Sequence, residues 1–168
     1  GPCEAVCAAC AAGTHAIGNA ARLIATGAVD VMLAGGSEAA MTTTALAGFG
    51  NMTALSASGV SRPFDSRRDG FVMAEGAACL IVESLSHALG RGARIYAALV
   101  GYGATADAYH ITAPAAGGEG ATRAMSLGLK KAGLAPEDVD YLPAHRTSTQ
   151  PHAPTQTAQH TRHGDPAP

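Results

Sequence analysis

The stretch that most limits what this chain can fold into is Val29-Asp30-Val31-Met32-Leu33-Ala34-Gly35-Gly36, a near-continuous apolar run of strand length closed by two glycines. Unbroken rather than alternating apolar character marks a strand buried on both faces. Such a strand needs a covering layer on each side. One lies just upstream, where Ile17, Ala20, Ala21, Ile24 and Ala25 recur at helical spacing and Gly27 acts as the stop. Downstream, 77–84 and 94–103 read as further strands, 41–52 and 85–92 as short helices, and 120–134 as an amphipathic helix. Residues 136–145 read as a turn entering a strand, and 3–9 are small and apolar enough for a buried one. Strands are therefore expected near 3–9, 29–35, 77–83, 94–102 and 139–144, and helices near 10–26 and 118–132. Strands alternating with helices predict an α/β fold with a mixed, mainly parallel sheet. The 38 Ala and 21 Gly in 168 residues suit layers that approach closely.

Charge and composition exclude several classes. The net charge is −2, and the only basic cluster is Ser-Arg-Pro-Phe-Asp-Ser-Arg-Arg-Asp-Gly at 61–70, so no nucleic-acid partner is expected. No apolar run approaches the ~18 residues of a membrane span, and with no basic region ahead of an apolar stretch no signal peptide is expected in this sequence. A first residue of Gly rather than Met is expected of a segment from a longer protein. The four cysteines, three crowded at one end, make a poor disulfide framework, which predicts a reducing, cytoplasmic setting. The Gly- and Pro-rich stretch 101–120 marks a break. From residue 150 the chain loses apolar periodicity and is expected to be disordered. His152, His160 and His163 in that tail lack the accompanying ligands of a dedicated metal site.

Cys3, Cys7 and Cys10 stand in a C-x3-C-x2-C pattern that admits three readings. Three thiolates at this spacing resemble the cluster-binding run of radical S-adenosylmethionine enzymes, which needs an open loop. Glu-Ala-Val and Ala-Ala between them favour regular structure instead. Free cysteines are also common small core residues, the bland reading for Cys3 and Cys7. In the third reading Cys10 alone matters. It falls where a strand turns into a helix, so backbone N–H groups and the positive helix end would face its sulfur and favour the anionic nucleophile. Ala9, Ala11, Ala12 and Gly13 leave room for a substrate.

The segment GPCEAVCAACAAGTHAIGNAARLIATGAVDVMLAGGSEAA resembles the nucleophile region of the β-ketoacyl-acyl-carrier-protein synthase II family. The likeness continues through ALAGFGNMTALS, SRPFDSRRDGFVMAEGAACLIVE, RIYAALVGYGATADAYHIT and YLPAHRTST. It is most like the actinobacterial form, and polyketide ketosynthases share these motifs. The resemblance implies a partial thiolase-like fold: 1–104 as the latter part of the N-terminal half, 105–149 as linker and start of the C-terminal half, and 150–168 outside the family pattern. It implies an acyltransferase performing decarboxylating Claisen condensation in fatty acid elongation. The alternatives are a type II polyketide ketosynthase and a non-catalytic truncated remnant. Cys10 matches the acyl-accepting nucleophile, and His145 the first of two histidines assisting decarboxylation. Thr147 and Thr149 match hydroxyls that contact the phosphopantetheine arm. The resemblance implies no cofactor and no metal, with acyl carrier protein as partner and a homodimer at full length. The second histidine and a lysine of the family site fall outside this segment, so the isolated chain is expected to be inactive.

Other residues are weighed against this pattern. Asp65, Arg68 and Asp69 are read as a structural charge network, His15 as a packed helix residue, and His110 as packing or near the substrate mouth. Gly35-Gly36 is weak evidence for phosphate binding. Pro143 and Arg146 stand where the family usually has Asn and a small residue, and Arg146 is expected to crowd the pantetheine channel. With the tail, this pattern is expected of a partial gene product with a frameshifted or primer-derived end.

Overall fold

The structure is a computed structural model and describes residues 1–111 and 113–149. The expected disorder of 150–168 and the three tail histidines lie outside the described residues. The chain divides into two units interleaved along the sequence, Gly1–Ala39 with Glu75–Val100, and Ala40–Ala74 with Gly101–Pro168.

The first unit is a helix on a two-stranded ribbon. Helix α1 (Ala12–Ala25) ends at Thr26, and Gly27 at φ +73° lets the Ala28 N–H reach back to the Leu23 carbonyl. That is the glycine stop read from the sequence. Strands β1 (Val31–Glu38) and β2 (Gly76–Glu83) pair along their whole length, from Val31 opposite Glu83 to Glu38 opposite Gly76. Met32, Ala34 and Gly36 lie on the face toward α1. A methyl group on Gly36 would sit 3.3 Å from the Gly13 Cα, so small residues set the helix–strand distance. Ala20 and Ala34 are buried in this contact. Helix α2 belongs to the second unit, so the next helix of this one is α3 (Leu85–Gly90), capped by the Ser84 hydroxyl, which accepts from the His87 N–H at 3.3 Å. Glu83 closes β2 by accepting from Arg91 Nε at 2.8 Å and pairing with His87 Nδ1 at 2.7 Å. The Arg91 and His87 contacts hold its carboxyl down to about 2.

In the second unit, α2 (Thr43–Asn51) starts under a Thr42 cap, whose hydroxyl accepts from the Ala45 N–H at 3.3 Å. Phe49 meets Phe71 edge to face at 5.1 Å. An isolated parallel bridge joins Leu55 to Phe71. Beside it Gly70, at φ +143°, has no room for a side chain, since a Cβ would lie 2.6 Å from the Leu55 carbonyl oxygen. Helix α4 (Glu119–Ala132) follows two left-handed glycines, Gly117 and Gly118, and ends at left-handed Gly133 with Leu134 N–H on the Leu129 carbonyl. Glu119 in its first turn and Lys130 and Lys131 in its last complement the helix dipole. Extended residues 101–103 lie against it through glycine, because a Cβ on Gly103 would approach Ala124 C to 2.9 Å.

The helices expected at 10–26, 41–52, 85–92 and 118–132 and the strands at 29–35 and 77–83 are present. Those expected at 3–9, 94–102 and 139–144 are not strands. A strand exists through its ladder, and no neighbouring strand lies beside these segments among the described residues. Among the described residues the one ladder between strands is antiparallel, where the alternation of elements predicts mainly parallel neighbours. The layer on the second face of β1 is also lacking among the described residues, leaving Leu33 71% and Ile81 63% exposed.

Candidate active site

Cys10 lies in a single 3-10 turn, Ala9–Ala11, that runs directly into α1. The Ala11 N–H closes the turn on the Ala8 carbonyl at 3.0 Å. Ala9 takes φ +45°, a left-handed conformation that costs a non-glycine residue roughly 1–3 kcal/mol and that surrounding structure must impose. No side chain caps the first turn of α1, and the Ala12 N–H turns back to the Ala9 carbonyl, so the positive end of the helix lies where Cys10 sits. The thiol is exposed. The sulfur is therefore accessible on a strained turn at a helix start, and its exposure argues against a packing role.

Cys3 and Cys7 share the exposure but not the turn or the helix start. Both lie on an irregular segment, which corrects their reading as core residues. Among the described residues no group of three His, Cys, Asp or Glu side chains is arranged to hold a metal ion. His15 is half-buried on α1. Gly35 and Gly36 serve close approach, to Cys79 and Gly13, inside a paired strand, which accounts for the pair without a phosphate.

The other residues singled out from the sequence, His145, Thr147 and Thr149, belong to the second unit. His145 is exposed, and its carbonyl accepts from the Thr147 N–H at 3.1 Å. The Thr147 and Thr149 hydroxyls are brought to 2.8 Å of each other. Between them Ser148 is 2% exposed and holds φ +63°. Its Oγ accepts from the Arg62 N–H at 2.9 Å and its carbonyl from the Gly70 N–H at 3.1 Å. Arg146 turns toward Tyr141, donating to its hydroxyl at 3.1 Å with the guanidinium over the ring.

The 61–70 loop that grips Ser148 is itself tied internally. Asp69 accepts from the Ser56 hydroxyl at 2.6 Å and the Ser58 N–H at 2.9 Å, and these bonds hold its carboxyl below the ordinary carboxylate value. Asp65 accepts from the Arg67 side chain and N–H, which hold it well below that value. Arg68 donates to the carbonyls of Asp65 at 2.8 Å and Thr149 at 3.4 Å. The structural reading of Asp65, Arg68 and Asp69 therefore stands, with Arg68 bonded to backbone oxygens. His110 Nδ1 accepts from the Ala113 N–H at 3.1 Å. Sequence reasoning missed Ala9 and Ser148. A left-handed φ has a sequence signal only where glycine or asparagine occupies it.

Residues 1–88 match the Beta-ketoacyl synthase, N-terminal domain, and residues 96–163 the Beta-ketoacyl synthase, C-terminal domain. The second match reaches into the segment that the motif resemblance leaves out. The 3-oxoacyl-[acyl-carrier-protein] synthase 2 of Rhizobium meliloti (strain 1021) is 52% identical over 155 residues, 89% of this chain and 37% of the relative. The chain thus spans little more than a third of that protein's length. A beta-ketoacyl synthase from Burkholderia phymatum STM815 superposes with a TM-score of 0.86 at 40% identity, over 91% of this chain and 38% of that one. A type II polyketide ketosynthase, solved in complex with its acyl-carrier protein and bound to the hexaketide, gives 0.85 at 40% identity over 89% and 38%. The fold is accordingly a partial thiolase-like α/β fold. With the N-terminal domain pattern alone filling more than half of its length, this chain belongs to the β-ketoacyl synthase family.

Proposed function

We propose that this chain carries the nucleophile of a β-ketoacyl-acyl-carrier-protein synthase that elongates fatty acids. The observation that carries the reading is the exposed Cys10 on its strained turn at the uncapped start of α1. The Cys10 thiolate attacks an acyl thioester carbonyl, forming a new thioester and releasing the carrier thiol. A malonyl thioester then loses carbon dioxide, leaving its electron pair as an enolate. His145 donates an N–H to that oxyanion. The enolate carbon attacks the acyl carbonyl on Cys10 and expels the thiolate, which restores the enzyme. The Thr147 and Thr149 hydroxyls hold the pantetheine arm that delivers both substrates.

Acyl carrier protein is the partner that this chemistry requires, and no cofactor or metal enters any step. A homodimer and a cytoplasmic location complete the reading. No helix among the described residues is long and apolar enough to cross a membrane. A type II polyketide role is the second reading, favoured by the 40% likeness to the hexaketide-bound ketosynthase. The 52% identity to a 3-oxoacyl-[acyl-carrier-protein] synthase 2 favours the first.

The test is incubation of a synthase of full family length carrying these residues with an acyl-carrier thioester, followed by peptide mass spectrometry. One acyl group on the Cys10 peptide, blocked beforehand by a cysteine-directed condensing-enzyme inhibitor, is the expected result. Acylation spread over Cys3, Cys7 and Cys10 refutes the assignment.

A further inference from the structure

We propose that Ser148 is a positioning residue whose buried bonds to the 61–70 loop set the Thr147 and Thr149 hydroxyls at the spacing needed to grip a pantetheine-like amide. This rests on the reading above.

Three observations converge. Ser148 is 2% exposed while flanked by exposed His145 and Arg146 and by half-buried Thr147 and Thr149, so the least accessible side chain of the motif is the one without an assigned role. It holds φ +63°, an unfavourable conformation for serine that persists only where bonds enforce it. Those bonds are the Arg62 N–H to its Oγ and the Gly70 N–H to its carbonyl. Both donors come from a loop more than seventy residues away in sequence, locked by Asp69 on Ser56 and Ser58. Gly70 is held as glycine by its φ of +143° and by Leu55 and Ser56 against its Cα.

The consequence falls on the neighbours. Residues either side of one position already share a side of an extended chain, and the left-handed turn at Ser148 shortens the path between them, so that here the two hydroxyls come within 2.8 Å. One hydroxyl donates to the other. The pair then has one O–H left to donate and lone pairs left to accept, which matches an amide that offers a carbonyl and an N–H together. Losing the Ser148 bonds releases the turn and separates the hydroxyls without removing either.

Steady-state kinetics of Ser148→Ala and Ser148→Gly in a full-length synthase carrying these residues tests this. Glycine adopts φ +63° without strain, so it removes the Oγ bond while protecting the fold. Both variants are expected to raise KM for the malonyl-carrier substrate about tenfold, the scale of one lost hydrogen bond. Turnover at saturation is expected to stay within about twofold, because uniform binding is lost. The alkylation rate of Cys10 by iodoacetamide should not change. Ser148→Gly with the wild-type KM overturns the proposal, as does a fall in turnover that follows the melting temperature. Wild-type enzyme without condensation overturns the functional reading and this proposal together, whereas an active wild type with unaffected variants overturns this one alone.

Discussion

Gly13 in α1 and Gly35 and Gly36 in β1 provide a graded test of the packing. Substituting each by alanine adds one methyl group against a neighbour at a different distance. At Gly35 the methyl would overlap the Ala78 carbonyl and lie 2.8 Å from the Cys79 Cα, with both neighbours part of the paired strand. Neither can rotate away, so β2 must shift by several tenths of an ångström. Overpacking of this kind costs about 1–3 kcal/mol, and each ladder bond lost with it adds about 1 kcal/mol. A cost of about 3 kcal/mol raises the open population of the ribbon roughly 150-fold. At Gly36 the methyl meets the Gly13 Cα at 3.3 Å and needs only a small adjustment. At Gly13 the nearest atom is 3.8 Å away, an ordinary contact, and helix propensity favours alanine by up to about 1 kcal/mol. Hydrogen exchange of peptides 31–38 and 76–83, measured by mass spectrometry in a full-length synthase, reads these openings. Exchange should quicken by about two orders of magnitude in Gly35→Ala, change little in Gly13→Ala, and fall between them in Gly36→Ala. If Gly13→Ala opens the ribbon as much as Gly35→Ala, the contact between α1 and β1 has been misassigned.

Cys10→Ala should lower acyl transfer in the full-length enzyme by about a thousandfold or more, whereas Cys3→Ala and Cys7→Ala keep most of it; equal losses from all three in a condensation assay would revive a cluster role. Glu83 gives an acid-side signature. Its folded pKa of about 2 lies below the ordinary value of about 4.3, so its stabilising effect is complete above about pH 4.3 and disappears as pH falls toward 2. A carboxyl titration by NMR should show that midpoint, and Glu83→Gln should flatten the stability loss in the same window; a midpoint near 4.3 refutes the pairing with Arg91 and His87. The 168-residue chain alone should be inactive, bind an apolar dye and self-associate, since Ala20, Ala34 and Ala88 are the only buried apolar side chains among the described residues. A monomer in sedimentation with a cooperative melt would show that burial has been underestimated.

Helices were readable because their signals are local. Gly27 and Gly133 stop α1 and α4 at left-handed turns, Thr42 and Ser84 cap α2 and α3, and the small-residue face of α1 follows from Ala20 and Gly13. Val31–Glu38 and Gly76–Glu83 were readable because their apolar runs find each other. Residues 3–9, 94–102 and 139–144 have similar composition, yet strand identity depends on a partner that composition does not encode. The site divides the same way. Cys10, His145, Thr147 and Thr149 stood out through motif likeness, while Ala9 and Ser148 depend on backbone angles imposed from elsewhere. Neither residue type announces a left-handed φ.

The connection between β1 and β2 runs through residues 39–75, which affects the order in which the first unit assembles. Closing a loop of that length costs about 3 kcal/mol, against well under 1 kcal/mol for a two-residue hairpin. The α1–β1 contact spans only the short turn Thr26–Asp30 and has no such barrier. On a chain emerging during synthesis, the turn that presents Cys10 would gain its first support from β1, well before β2 exists to be paired. Ala20→Gly is then expected to slow folding, and Val82→Ala mainly to speed unfolding. The helix that follows Cys10 would be mounted early, and the second strand of its ribbon added late.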